Sequence, residues 1–373
     1  MKELDNNSKV FFALLRAGLW EQGVRLSPYS VLDLKAVREI AEEQSAMGLI
    51  AAGLGHVEDT KIEKKDVISF IGAALQLEKR NLAMNSFIGT LLEKMREAGI
   101  NLVLVKGQGI AQCYERPLWR ASGDIDFLLD EHNYQEAKAF LSSMASEVEK
   151  ESEIDKHLGM SIGPWLVEIH GALRTGLSKH IDRVIDQVQE DTFVKGHVRN
   201  WNNSGVDVAL PAVDNDVIFI FTHFLKHFYK GGLGIRQVCD WCRLMWKNRE
   251  DVDLAKLEYR LKKMHLVSEW KAFAAFAVDY LGMPGDAMPL FDSSSKWRKK
   301  ARKICSFMLS VGNFGHNRDF SYYLKYPYLI RKIVSMNRRI KDIIRHAGIF
   351  PLDSFRFFPN IIVNGLRSAT DGI

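Results

Sequence analysis

The sequence lacks any run of about 18 consecutive apolar residues, so no membrane-spanning helix is expected. It has only four cysteines in 373 residues, without regular spacing, which argues against a disulfide framework. It has no marked excess of either charge. Lys and Arg number 51 against 46 Asp and Glu, a formal charge of +5, which permits a phosphate-bearing substrate without demanding nucleic acid. Met1 to Asp5 lack the charged-then-apolar pattern of a signal peptide, so the expected location is the cytoplasm, where nucleoside triphosphates are present. Internal repeats and low-complexity tracts are missing as well. What remains is the composition of an ordinary globular protein, 47% hydrophobic and 26% charged, long enough for two or three domains.

The most informative stretch is 102–129, LVLVKGQGIAQCYERPLWRASGDIDFLL. An apolar run ending in Lys106-Gly107 predicts a strand and a tight turn. A helix-length segment, Arg120 and a second strand headed by Asp124-Ile125-Asp126 follow. Strand side chains alternate faces, so Asp124 and Asp126 share one face while Ile125 and Phe127 enter the core. Two like charges roughly 7 Å apart are unfavourable alone, and divalent cations relieve them. Mg²⁺ favours one or two carboxylates with phosphate oxygens and water. Gly107 permits close backbone approach to phosphate, and Lys106 and Arg120 add positive charge.

Further on, Trp165 to His170 alternates apolar and polar residues like a half-buried strand, with Glu168 and His170 on one face. Residues 131–145 predict a helix covering the sheet. Asn202-Asn203-Ser204-Gly205 signals a turn, and the expected hairpin pairs 193–194 with 206–208.

With these residues in view, Gly107 followed by Asp124-Ile125-Asp126 resembles the polymerase-beta-type nucleotidyltransferase superfamily. Lys106-Gly107, Tyr114, Arg120 and the Asp pair are similar to an uncharacterised bacterial nucleotidyltransferase family in which Lys-Gly stands for the usual Gly-Ser. Gln108 occupies the Ser position. The resemblance implies two Mg²⁺ held by Asp124 and Asp126, with Glu168 as the third carboxylate that completes the site or acts as base. It also implies a nucleoside triphosphate held by Lys106, Gly107, Gln108 and Arg120. His170 would bond a phosphate or orient Glu168. Lys226 and His227 would approach the nucleotide from a helical domain closing the cleft.

The flanks are expected to be helical. Before the sheet, helices are expected over 7–20, from Ser27-Pro28 through Ile40, and over 64–98. Residues 47–56 should form a buried helix end or bend. In 64–98 the apolar side should comprise Ile68, Ile71, Leu75, Leu82, Phe87, Leu91, Leu92 and Met95. Asp214 should cap a helix carrying His223 and His227, a spacing that metal sites use, although no Glu follows His223 as in zinc proteases. Gly231-Gly232-Leu233-Gly234 marks a tight connection and close backbone approach to a ligand. Arg236 and Asp240 lie one helical turn apart. Cys239 and Cys242 are expected to be buried on one helix rather than to bind metal. Residues 322–346 form a basic amphipathic helix, either a solvated face or a contact for anionic membrane or nucleic acid. The tail 350–373 should wrap back on the domain.

The expected protein is therefore α+β: a helical segment (1–99), a small mixed-sheet nucleotidyltransferase core (100–212) and a C-terminal helical domain (213–373). Its expected activity is Mg²⁺-dependent transfer of a nucleoside monophosphate from a nucleoside triphosphate to a hydroxyl or phosphate of a small molecule, with release of pyrophosphate. Two other readings stand beside it: transfer to tRNA or protein, and a catalytically dead nucleotide-binding scaffold.

Overall fold

The computed structural model describes residues 4–152, 156–317 and 327–370. Four helices open the chain: α1 (Asn6–Trp20), α2 (Leu34–Glu43), α3 (Met47–Leu54) and α4 (Lys64–Glu97). α1 and α3 cross at backbone contact. A Cβ on Gly18 would lie 1.9 Å from the Leu49 carbonyl oxygen, and one on Gly53 would lie 2.0 Å from that of Leu14. α2 starts six residues after the expected Pro28 start, because Asp33 caps it by accepting from Ala36 N. Ser27 is drawn elsewhere: its N–H and hydroxyl, with the N–H of Leu26, bond the Asp59 carboxylate.

α4 has the expected length, and Leu91, Leu92 and Met95 are buried as expected, but its first half turns a different face inward. Ile68, Leu75 and Leu82 are more than half exposed, while Phe70, Ala74, Asn81, Met84 and Ile88 are buried. The helix carries two apolar stripes. Packing against α3 and the turn at Pro117–Trp119 selects the one that contains Asn81. The Asn81 amide donates to the carbonyls of Leu118 and Arg120, at 2.7 and 2.8 Å.

The central sheet has strands β1 (Val103–Val105), β2 (Asp124–Leu128), β3 (Glu147–Val148), β4 (His157–Ile162) and β5 (Trp165–His170), in the order β1-β2-β5-β4-β3. Only β2 and β5 run parallel within it. α5 (Gly107–Ala111) links β1 to β2, and α6 (Glu131–Ser142) follows β2, capped by Asp130. One sheet face is apolar. Ile125, Phe127, Leu158, Met160, Val167 and Ile169 pack there with Met84, Ile88, Leu91 and Met95 of α4 and with Tyr134 and Leu141 of α6. The opposite face carries the acidic and histidine side chains.

α7 (Lys179–Phe193) leads to a hairpin of β6 (Val198–Asn203) and β7 (Val206–Pro211). Residues 206–208 pair with Asn203 to Trp201 rather than with Phe193-Val194. Amphipathic α7 absorbs Phe193, and Ser204 and Gly205, both at positive φ, make the tight turn.

Helices α8 (Val213–Lys230), α9 (Ile235–Lys247), α10 (Leu254–Met264), α11 (Val267–Leu281), α12 (Ser295–Val311), α13 (Tyr328–Ala347) and α14 (Pro351–Thr370) complete the described chain. Asp214 does not cap α8. It sits inside the first turn and accepts from Asp253 N. The N-terminal helices share one apolar core with this group. Phe12 meets the rings of Phe276 and Tyr280, and the Trp20 indole donates to the Leu281 carbonyl. α14 folds back, with Phe357 buried against Tyr229 and the Asn360 amide on the Leu177 carbonyl. Of the basic segment 322–346, residues 322–326 lie outside the described residues. In α13, Lys341 and Arg345 are exposed. Among the described residues no helix is long and apolar enough to cross a membrane.

Candidate functional site

The polar sheet face follows from the register. β2 and β5 align Asp126 with Glu168 and Leu128 with His170, while β4 places His157 opposite His170. Alternation puts Asp124, Asp126, Glu168, His170 and His157 on one side. Carboxylate oxygens of Asp124, Asp126 and Glu168 lie within 4.8 Å of one another. Such a hard oxygen set suits a divalent cation of the Mg²⁺ type. His157, Glu168 and His170 form a second group of the same compactness.

Lys106 is bent into this cluster. Its backbone has φ 58° and ψ −146°, and Gly107 follows at φ 40°. A non-glycine residue there stores about 1–3 kcal/mol of strain. The distortion carries Lys106 Nζ to 2.5 Å from Asp126 Oδ1, which His170 Nε2 also approaches, at 2.8 Å. Burial works against the Lys106 charge, but Asp126, Asp124 and Glu168 together hold its pKa above the usual lysine value. Asp126 is buried, which alone would raise its pKa, yet Lys106 and His170 keep it below the usual carboxylate range. Asp124 moves upward, chiefly through repulsion from Asp126. Glu168 also moves upward through burial, partly offset by the His157 bond at 3.0 Å. Burial pushes His170 down to about 4.

The facing wall belongs to α8 and to Phe314. Phe219, His223, Lys226 and His227 line, with Lys106, Asp124, Glu168 and His170, a cavity of about 250 Å³. Lys226 and His227, expected to approach the nucleotide, lie on this wall. His223 and His227 meet nitrogen to nitrogen at 3.0 Å, and the His227 ring stands edge-on to Phe314. No pattern in the sequence marked Phe314, which arrives on the turn after α12 with φ 49°.

A smaller cleft adjoins, bounded by Lys106, Gly107, Arg120, Asp124, Asp126, Arg236 and Asp240. Here two expected ligand residues are tied into the scaffold. Arg120 is buried, gripping Asp240 through Nε and Nη2 at 3.0 and 2.7 Å and Ser122 through Nη1 at 2.7 Å. Tyr114 donates to the same Asp240, at 2.7 Å. The Gln108 side chain turns away from the cleft. Its amide donates to Asn81 Oδ1 at 2.8 Å, pinning the Lys-Gly turn to α4, a span that a serine at this position would not reach. Arg236 holds Asp240 only at 3.3 Å, and its buried Nε has no hydrogen-bond partner among the described residues. Arg236 and His157 are the residues that the expected nucleotide set omitted. The signal for His157 was its alternation with the buried Leu158, Met160 and Ile162 of β4.

Gly232 and Gly234 lie close to the turn after α12, and a Cβ on Gly234 would stand 2.6 Å from Asn313 Oδ1. A Cβ on Gly232 would lie 2.7 Å from the Gly315 nitrogen. The four cysteines are buried and free.

Among solved structures, an antigenic nucleotidyltransferase-like protein from Paracoccidioides brasiliensis is similar over 50% of this chain and 87% of its own, at 13% identity and a TM-score of 0.31. A comparison with curated proteins finds no match. The sequence profile described as "uncharacterised nucleotidyltransferase" matches residues 31–282, from before α2 through α11, and so takes in the sheet and α8 on either side of the cleft, but not Phe314. The chain belongs to this nucleotidyltransferase family.

Proposed function

We propose that the protein transfers a nucleoside monophosphate from a nucleoside triphosphate to a hydroxyl or phosphate oxygen of a small molecule, in the presence of Mg²⁺. One observation carries this reading: three carboxylates from two adjacent parallel strands converge beside a strained lysine at the floor of a cleft. Asp124, Asp126 and Glu168 would hold the divalent cations. Bound there, such ions neutralise the triphosphate and acidify the attacking hydroxyl.

The chain's own groups supply the rest. Lys106 exchanges Asp126 for the phosphates, since its ammonium otherwise stands where a cation would. Arg236, with an unused buried donor on the cleft wall, binds phosphate oxygens, and Arg120 holds Asp240 beneath it. Lys226 adds charge from α8. The acceptor oxygen bonds to the α-phosphorus, the bond from the α-phosphorus to the pyrophosphate oxygen breaks, and Glu168 takes the proton of an acceptor hydroxyl. Positioning and charge stabilisation supply most of the rate. A cavity of about 250 Å³ suits a small acceptor. Retention of all three carboxylates argues against a dead core, because Lys106 and the histidines offset their repulsion only in part, and Asp126 still pushes Asp124 upward.

The test is incorporation of label from α-labelled nucleoside triphosphates into a panel of small acceptors, read with pyrophosphate release. Wild type should incorporate label and Asp124→Asn, still folded, should not. Undiminished incorporation by the folded variant would overturn the reading.

A further inference from the structure

We infer that His157, Glu168 and His170 form a second metal site, which takes a first-row transition-metal ion such as Mn²⁺ or Zn²⁺ in preference to Mg²⁺. Two imidazole nitrogens converge on one carboxylate oxygen. His157 Nε2 lies 3.0 Å and His170 Nε2 3.6 Å from Glu168 Oε2. With metal–ligand bonds of about 2.1 Å, neighbouring donors stand about 3.0 Å apart in an octahedron and about 3.4 Å apart in a tetrahedron. The 3.0 Å spacing falls within that range, and the 3.6 Å one lies about 0.2 Å beyond its tetrahedral end. A hydrogen bond explains the shorter contact but not the 3.6 Å one.

The donors are placed by backbone pairing rather than by flexible loops. His157 and His170 are register partners across β4 and β5, and their rings lie 4.8 Å apart with a 38° tilt. All three side chains line the same cavity, which gives an ion a route in. Imidazole ligands favour transition metals, whereas the oxygen-only set of Asp124, Asp126 and Glu168 favours Mg²⁺. Glu168 belongs to both groups, so two unlike ions would share one carboxylate. Nucleotide transfer is not needed for this inference.

The test uses nucleotide-free full-length protein and Mn²⁺. Pulsed electron paramagnetic resonance should show a histidine nitrogen coupled to the ion, and the coupling should change when histidine is labelled with ¹⁵N. His157→Ala should weaken Mn²⁺ binding about tenfold or more. His157→Gln, a closer match in size and polarity, serves if the alanine variant does not fold. Asp124→Asn should leave the nitrogen coupling in place. A spectrum indifferent to ¹⁵N-histidine, or unchanged Mn²⁺ affinity in a folded His157 variant, overturns the site. Neither result bears on nucleotidyl transfer, which the labelling assay reads separately.

Discussion

Replacing Asp240 by Asn should cost about 3–5 kcal/mol, because it breaks a buried ionic knot without relieving it. Asp240 accepts from the Tyr114 hydroxyl, from two nitrogens of Arg120 and, more weakly, from Arg236. Asn keeps one acceptor oxygen and the shape, but removes the charge that two guanidinium groups share. Burial, then Arg120, already depress the Arg236 pKa, so the pair is poorly balanced before the change. At about 2 °C per kcal/mol for a chain of this size, the melting temperature should fall by roughly 5–10 °C. Calorimetry or circular dichroism reads it. Asp240→Asn/Arg236→Gln removes one opposed cation and should recover about half of the loss, since the pair's terms couple. A single variant that melts within about 2 °C of wild type would refute the reasoning.

The remaining predictions concern other parts of the molecule. Gly53→Ala should destabilise by about 1–3 kcal/mol in thermal unfolding, because its methyl would collide with the Leu14 carbonyl. Lys106→Met should weaken nucleoside triphosphate binding while strengthening nucleotide-free Mn²⁺ binding, each by about tenfold in titration calorimetry. Stability should also fall with acid through His227, which burial, then Lys106, Lys226, Arg236 and Lys230, hold down to about 3. The unfolded chain binds that proton near pH 6.5. Stability from the neutral ring is therefore complete above about 6.5 and lost as pH falls toward 3, on the order of 1–2 kcal/mol by pH 5. Melting curves from pH 7 to 5 should show this decline, and His227→Gln should lessen it without removing the part that His170, also held down by burial, contributes.

Much of the site was legible because strands obey a two-residue period. Alternation put Asp124 with Asp126 on one strand face and Glu168 with His170 on another; that Glu168 joins the Asp pair came from the family resemblance, and the structure brings the two pairs together through the β2–β5 pairing. The long-range partners were not legible. Arg120 looks like a phosphate ligand until Asp240, 120 residues on, is seen to occupy it, and Gln108 looks like a phosphate-turn residue until Asn81 accepts its amide. On α4 the apolar stripe through Ile68, Leu75 and Leu82 was as regular as the buried one. Only α3 and the 117–119 turn decide between them. α2 likewise began at Asp33 because Asp59, remote in sequence, captured Ser27.

The central claim is that the carboxylate trio binds nucleotide through a divalent ion. Calorimetric titration of a non-hydrolysable nucleoside triphosphate into wild type and Asp124→Asn, each with Mg²⁺ and with chelator, tests it directly. Binding should appear only for wild type with Mg²⁺. Equal affinity in chelator, or in the folded variant, would contradict it.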